Sequence, residues 1–260
     1  IIDGIQVIRA GGKFTAWRAA RKWHATQKPF DLVIDQHHGL PWYAPWWCET
    51  RCVAYIHEVL GPIWSAFYPW PISAIGRWQE RFTHRWYRRV PFWTACSFTR
   101  DLLLEQGIES VTQIPYGVDT RALEVLPEKE LDEPLRLITV SRLAPNKQVD
   151  HAIEALWCLL NEEGVRAELK IVGEGQEEAV LRRLVAELKV EEHVEFCGAL
   201  PEAEKDVALR EAHFLLHTSL REGWGLNVIE ANALGTPAVV YPVPGLLEST
   251  LHEKTGLVAG

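Results

Sequence analysis

A short apolar run rich in β-branched residues, a turn, and a longer stretch with apolar positions three and four apart recur along this chain, and that rhythm limits its fold more than any other feature. Residues 135–140 lead into a helical pattern over 149–160. Residues 168–172 lead into 176–188, and 194–198 into a helix opening at Pro201-Glu202. The earlier half is looser but similar, with strand-like segments at 30–35, 52–57, 92–97 and 111–115 and helical stretches at 14–27, 75–89 and 99–106. Strands that alternate with helices form parallel sheets, because a parallel pair needs a crossover that a helix supplies. The expected fold is therefore α/β, two Rossmann-like domains with parallel sheets facing across a cleft. Residues 121–134 are acidic and interrupted by proline. They divide an N-terminal domain, 1–118, from a C-terminal domain, 135–260, with 119–134 as linker.

Composition fits a globular protein: 47% of residues are hydrophobic and 24% charged, and no run is long enough to cross a bilayer. Charge divides unevenly. Residues 1–120 hold 13 Lys and Arg against 10 Asp and Glu, whereas 121–260 hold 14 against 25, so the halves carry +3 and −11. The acidic half is no nucleic-acid surface. In the basic half, residues 77–89 interleave arginines with aromatic residues. Trp78, Phe82 and Trp86 are spaced by four, which favours a buried stripe on a packed helix. The other reading is a helix resting on an anionic membrane surface.

Five cysteines, at 48, 52, 96, 158 and 197, are an odd number without the spacing of a disulfide scaffold, the pattern of a reducing compartment. Cys48 and Cys52, with His37 and His38 nearby, lack the spacing of a zinc site, and no metal is expected there. Ser219 has no Gly-x-Ser-x-Gly elbow around it, which argues against a hydrolase triad.

The chemistry concentrates at turns that follow strands. Arg142 and Lys147 flank the turn after 135–140, where an open α/β sheet forms its ligand crevice. Residues 221–231, Arg-Glu-Gly-Trp-Gly-Leu-Asn-Val-Ile-Glu-Ala, form a glycine-broken loop running into an apolar helix. Glycines let backbone N–H groups approach a ligand, and the start of the helix presents a positive end to phosphate. Glu222 lies before that helix and Glu230 more than a turn inside it, roughly 10 Å apart along the axis. That separation suits two acids holding different parts of one long ligand. Gly173-Glu174-Gly175 lacks the third glycine of a dinucleotide fingerprint and is no Walker loop.

In order, Ser141-Arg142 with Lys147, Val172-Gly173-Glu174-Gly175, the Val194-x-Phe196-x-Gly198 strand, Glu222 with Glu230, and Gly235-Thr236-Pro237 resemble the family 4 retaining glycosyltransferases of GT-B architecture. The likeness covers most of 135–260. It is looser upstream, through residues 114–119, 97–99 and 55–58. The resemblance implies that Arg142 and Lys147 grip a donor diphosphate, assisted by backbone N–H groups of Gly225, Leu226 and Asn227. It places Glu222, Gly223, Trp224 and His57 at the donor sugar, Glu230 at the ribose, backbone around Cys197 at the base, and Gly173 and Gly175 along the donor cleft. Trp224 and Asn227 depart from the family's usual Phe and its usual Pro, Ser or Thr. Both border the sugar pocket, so donor class is better defined than donor identity.

The same resemblance implies a UDP or GDP sugar as donor, no cofactor and no metal, with Arg142 and Lys147 as catalytic cations beside Glu222 and His57. It implies a saccharide, lipid-linked or other hydroxyl acceptor and work in glycan or cell-envelope polysaccharide synthesis in the cytoplasm or at the inner membrane surface; the charge distribution leaves no nucleic-acid partner expected, and the helix over 77–89 makes the N-terminal domain the part that would meet a membrane. A catalytically silent nucleotide-sugar-binding subunit and a nucleotide-sugar epimerase of the same architecture remain alternatives. Measured against the family, the first strand and glycine loop and the last helices are missing, so the chain is expected to be a fragment, and membership alone does not make it active.

Overall fold

The computed structural model describes residues 4–12, 15–37, 41–126 and 129–260. Two compact units emerge, residues 1–114 and 115–260.

The N-terminal unit begins with helix α1 (Ala16–His24) and strand β1 (Val33–His37), followed by β2 (Cys52–Ile56), the short α2 (Trp64–Phe67), α3 (Ile72–Trp86), β3 (Phe92–Thr94), α4 (Ser97–Glu105) and β4 (Val111–Gln113). Its four strands lie in the order β1-β2-β3-β4, all parallel. The alternation in sequence thus becomes successive crossovers. A core of Ala54, Ile56, Val59, Tyr87, Phe92, Leu103 and Ile108 fills this unit.

A buried carboxylate ties this unit together. Asp35, on β1, accepts hydrogen bonds from the backbone N–H groups of Trp42 and Ala44, each 2.9 Å away, and from the Tyr87 hydroxyl at 2.6 Å. Burial and this carboxylate push the Tyr87 hydroxyl pKa well up, so it stays a donor.

Helix α3 is inverted relative to the sequence expectation. Trp78, Phe82 and Trp86 do form a stripe, but they are 65%, 43% and 56% exposed. The face that packs inward is Ser73, Gly76, Thr83 and His84. The reason is close approach: a Cβ on Gly76 would lie 2.4 Å from the Trp64 ring. Glu80 also reaches inward, accepting from Gly61 N–H and from Trp64 Nε1 at 2.7 Å. Small and polar residues therefore suit the inner side. The buried-stripe expectation is overturned.

The C-terminal unit contains β5 (Leu135–Val140), α5 (Val149–Asn161), β6 (Ala167–Val172), α6 (Glu178–Leu188), β7 (Val194–Gly198), α7 (Glu202–Glu211), β8 (Phe214–His217), α8 (Leu226–Ala233), β9 (Ala238–Val240), α9 (Pro244–Ser249) and β10 (Gly256–Val258). All six strands are parallel, in the order β10-β9-β8-β5-β6-β7. Counted within the unit this is 3-2-1-4-5-6, the doubly wound order, in which the order of strand addition reverses between the parallel neighbours β5 and β8. One core cluster gathers around Ile153, Leu156 and Ile171, and another around Ile138, Leu215 and Val228. The acidic stretch read as linker is fastened to this unit, with Leu123 N–H donating to Ala233 O and Lys129 Nζ to Ala212 O at 2.6 Å.

Ten of the twelve tryptophans precede residue 115, so indole fluorescence reports mainly on the N-terminal unit. Asp35→Ala would strand three buried donors and should lower that unit's stability by about 3 kcal/mol or more. Urea unfolding followed by tryptophan emission checks this, with an unchanged midpoint as the contrary result.

Candidate functional site

Because every strand of the C-terminal sheet runs the same way, the turns after Val140, Val172, Gly198 and His217 emerge at one edge. Loops from β5 and β8 leave that edge side by side, at the reversal point where a crevice opens.

These two loops are stitched together. Asn227 Nδ2 donates to Val140 O at 2.7 Å, and Leu220 N–H donates to Asn146 O at 3.0 Å. Thr218 Oγ1 is within 2.6 Å of Gln148 O and 3.1 Å of Lys147 O. The hydroxyl thereby braces a turn in which Gln148 holds a left-handed backbone, φ 46°, a conformation that costs a non-glycine residue about 1 kcal/mol. That turn sets Lys147 at the loop's end, just before α5.

Lys147 Nζ meets Glu222 Oε2 at 2.5 Å, with both side chains less than one-fifth exposed. His217, the last residue of β8, brings Nε2 to 3.6 Å from the same oxygen, beyond hydrogen-bond reach. Burial lowers the His217 pKa to about 4, Glu222 opposing the shift and Lys147 adding to it, so the imidazole is neutral near pH 7. Arg142, one residue beyond Ser141, is exposed and forms no ion pair among the described residues.

Gly225, in left-handed backbone at φ 77°, caps α8, whose first residues are Leu226 and Asn227. The first N–H groups of a helix have no acceptor inside it, so this end can receive an anion. Gly223 and Trp224 are buried beside it. Gly245 N–H donates to Glu222 O, and a Cβ on Gly245 would lie 2.2 Å from that oxygen, so the loop after β9 presses directly on the Glu222 loop.

Gly173 and Gly175 lie under the β5 exit. A Cβ would come within 1.9 Å of Ser141 O at Gly173 and 2.1 Å of Leu143 O at Gly175. Their place thus has a backbone reason independent of any ligand. At Cys197 the β6–β7 register slips, with Phe196 opposite Ile171 and Gly198 opposite Val172. Cys197 has no partner on β6 in the register.

Glu230 is held apart from Glu222. Lys205, on α7, contacts Glu230 Oε2 at 3.0 Å and Glu202 Oε2 at 2.7 Å. Burial works against its charge, but the bonds to Glu202 and Glu230 outweigh burial and raise the Lys205 pKa. His57 directly follows β2 in the N-terminal unit. His38, considered with the Cys48–Cys52 pair, lies outside the described residues. Among the described residues no group of three His, Cys, Asp or Glu could hold a metal ion.

Four buried polar atoms on the two loops lack partners: Ser141 Oγ, Gln148 Oε1, Ser219 Oγ and Trp224 Nε1. Sequence reasoning named Arg142, Lys147, Glu222 and Glu230 but missed Lys205, His217, Thr218 and Gly245 as their supports. Pro-Gly at 244–245 is the one local signal that could have flagged any of them.

Comparison with known proteins identifies the family and the fold. The profile of the family Glycosyl transferases group 1 matches residues 124–260, more than half of the chain, and the chain belongs to that family. Among curated relatives, the amylovoran biosynthesis glycosyltransferase AmsK of Erwinia amylovora is 31% identical over 157 residues, 58% of this chain and 38% of its own length. The putative colanic acid biosynthesis glycosyltransferase WcaL of Escherichia coli is 33% identical over 154 residues, 57% and 38%. The chain thus matches about two-fifths of the length of each. Among solved structures, Anabaena HepE in complex with UDP and glucose superposes with a TM-score of 0.70 at 17% identity, covering 94% of this chain and 66% of that one. The architecture is the GT-B fold, as expected from the sequence.

The depressed His217 pKa sets a direction for acid stability. The folded value, about 4, lies below the ordinary 6.5, so this contribution is complete above pH 6.5 and is lost as pH falls towards 4. It amounts to on the order of 3 kcal/mol. His217→Gln should flatten the loss for the C-terminal unit, as read by urea unfolding across that window with circular dichroism. An unchanged slope would remove His217 from the account.

Proposed function

We propose that the chain carries the donor site of a retaining, family 4 glycosyltransferase. It would move a sugar from a UDP or GDP sugar to a saccharide, lipid-linked or other hydroxyl acceptor in glycan or cell-envelope polysaccharide synthesis at the cytoplasmic side of a membrane. The observation that carries this reading is the Lys147–Glu222 pair at the β5–β8 reversal, beside the N-terminus of α8. Polysaccharide synthesis is supported by the named roles of the two curated relatives, and a nucleotide-sugar donor by the UDP and glucose bound to the structural relative.

The chemistry follows from charge. As the bond between the sugar's anomeric carbon and the phosphate oxygen breaks, its electron pair moves to the diphosphate and the sugar gains oxocarbenium character. Cations and N–H dipoles already aimed at the leaving group lower that barrier. Arg142, Lys147 and the first turn of α8 supply them, which is the role a divalent metal would otherwise fill. Lys147 is paired with Glu222. Arrival of the diphosphate exchanges that partner, leaving Glu222 to accept hydrogen bonds from sugar hydroxyls. The partnerless atoms of Ser141, Gln148, Ser219 and Trp224 are groups that a polar ligand would satisfy.

Lys205 fixes Glu230, which we assign to the ribose, and the backbone at the Cys197 bulge is assigned to the base.

Lys147→Ala or Arg142→Ala should each cut transfer about a hundredfold, on the order of 3 kcal/mol, while the fold persists. Near-normal turnover in either variant, measured on a chain that transfers sugar, would refute the assignment. Glu222→Gln should impair use of the donor sugar more than binding of the nucleoside diphosphate. Incubation with donor alone distinguishes transfer from epimerisation or hydrolysis, since isomerised or free sugar would appear without acceptor.

Lys205→Met should raise the KM for donor several-fold with little change in kcat, because it releases a binding carboxylate and leaves the cations in place. A fall in kcat at unchanged KM would contradict that division of labour.

A further inference from the structure

Helix α3 turns its packing face inward with Ser73, Gly76, Thr83 and His84 and leaves its large side chains outside. At about 100° per residue, Ile72, Ile75, Trp78, Phe82 and Trp86 fall on one arc of the helix. Arg77, Arg81, Arg85 and Arg88 fall on the adjoining arc, when the turn after Trp86 is counted with the helix, and Arg89 falls back among the aromatic positions. The aromatic rings form a ladder: Trp78 and Phe82 stack with centroids 5.3 Å apart, Phe82 and Trp86 follow at 5.3 Å, and Trp86 meets Trp46 at 6.0 Å. The ladder ends at a notch of about 240 Å³ lined by Trp17, Arg21, Tyr43, Trp46, Trp47 and Trp86, so the surface extends beyond a single helix. Glu80 is the only acid between residues 72 and 89, and its bonds to Gly61 and Trp64 turn it inward.

We infer that this face docks the N-terminal unit onto an anionic lipid bilayer, with Trp78, Phe82 and Trp86 at the level of the acyl boundary and the arginines against lipid phosphates. Indole rings favour that boundary, and arginine reaches back to the headgroups from a buried stem. Arg88 is paired with Glu109 at 2.8 Å, whereas Arg77, Arg81 and Arg85 form no ion pair among the described residues, so a second copy of the same face would bring these three arginines against their own kind. An anionic membrane answers both arcs at once.

The inference deepens the lipid-linked acceptor suggested above and rests on that reading only for its biological setting. Vesicle binding is measured without donor or acceptor, so its failure and the failure of glycosyl transfer are separate results. Co-sedimentation of the chain with phosphatidylcholine vesicles, with and without phosphatidylglycerol, should give on the order of a hundredfold tighter binding when the anionic lipid is present, declining at high salt. Trp78→Ser, Phe82→Ser and Trp86→Ser combined should weaken binding to every vesicle. Arg81→Gln, Arg85→Gln and Arg89→Gln combined should abolish the anionic preference, each arginine being worth about fivefold, while the corresponding Lys substitutions keep it.

These side chains face outward, so thermal melts should change little. If the serine variant unfolds, the glutamine variant carries the test alone. Equal binding to both vesicles, no binding to either, or an anionic preference that survives the glutamine substitutions would overturn the inference. So would a dimer in sedimentation velocity that the serine variant abolishes in the absence of lipid binding, since the face would then belong to a second copy.

Discussion

The Lys147–Glu222 contact is where the architecture of the C-terminal unit becomes chemistry. It joins the loop leaving β5 to the loop leaving β8, the two strands between which the doubly wound sheet reverses. Neither group has a low-cost alternative in that position. An ammonium or carboxylate taken largely out of water needs a counter-charge, and removing one partner leaves the other stranded. A pair of this kind contributes little net stability compared with apolar packing. In the proposed donor site its value would lie in placement, each member being already desolvated and oriented towards a ligand group of the opposite character.

Around that pair the scaffold is tight in backbone terms. The Thr218 hydroxyl spans the Lys147–Gln148 turn, Asn227 ties α8 to the last residue of β5, and the loop after β9 presses on Glu222 from behind. Each contact joins neighbouring loops of one sheet edge, so distortion in any of them is passed to the cation and the acid. Preorganisation of this sort lets a charged site act without rearranging at the moment of reaction.

The parallel architecture was legible because a period near 3.6 alternates with apolar runs, and β5, β7 and α5 fall within a residue of their expected bounds. The short strands β9 and β10 and helix α9 carry too few residues for a period to register. In the site, the cations and acids could be named because they sit at the turn after an apolar strand-like run and around a glycine-broken loop that leads into a helix. Their supports could not, since Lys205 reaches Glu230 from another helix, and a threonine between strand and loop looks ordinary in one dimension. The α3 stripe shows the limit most clearly. A spacing of four defines a face of a helix but carries no sign, and here Gly76 under Trp64 decided which face went in.

The charge of the C-terminal half adds a last constraint. With 25 acids against 14 Lys and Arg in residues 121–260, this half carries a net charge that repels the diphosphate proposed as its ligand. Attraction must therefore be local. At physiological ionic strength charges beyond about 8 Å are largely screened where water intervenes, while those in a partly closed crevice are not. Lys147, Arg142 and the N-terminal dipole of α8 can then outweigh a more distant excess of acid. The same arithmetic makes the site intolerant of losing a cation. On a basic protein the surrounding field would partly substitute for a missing lysine, whereas on this half of the chain no such reserve exists, and the capacity to hold an anion rests on those few groups at the edge of the sheet.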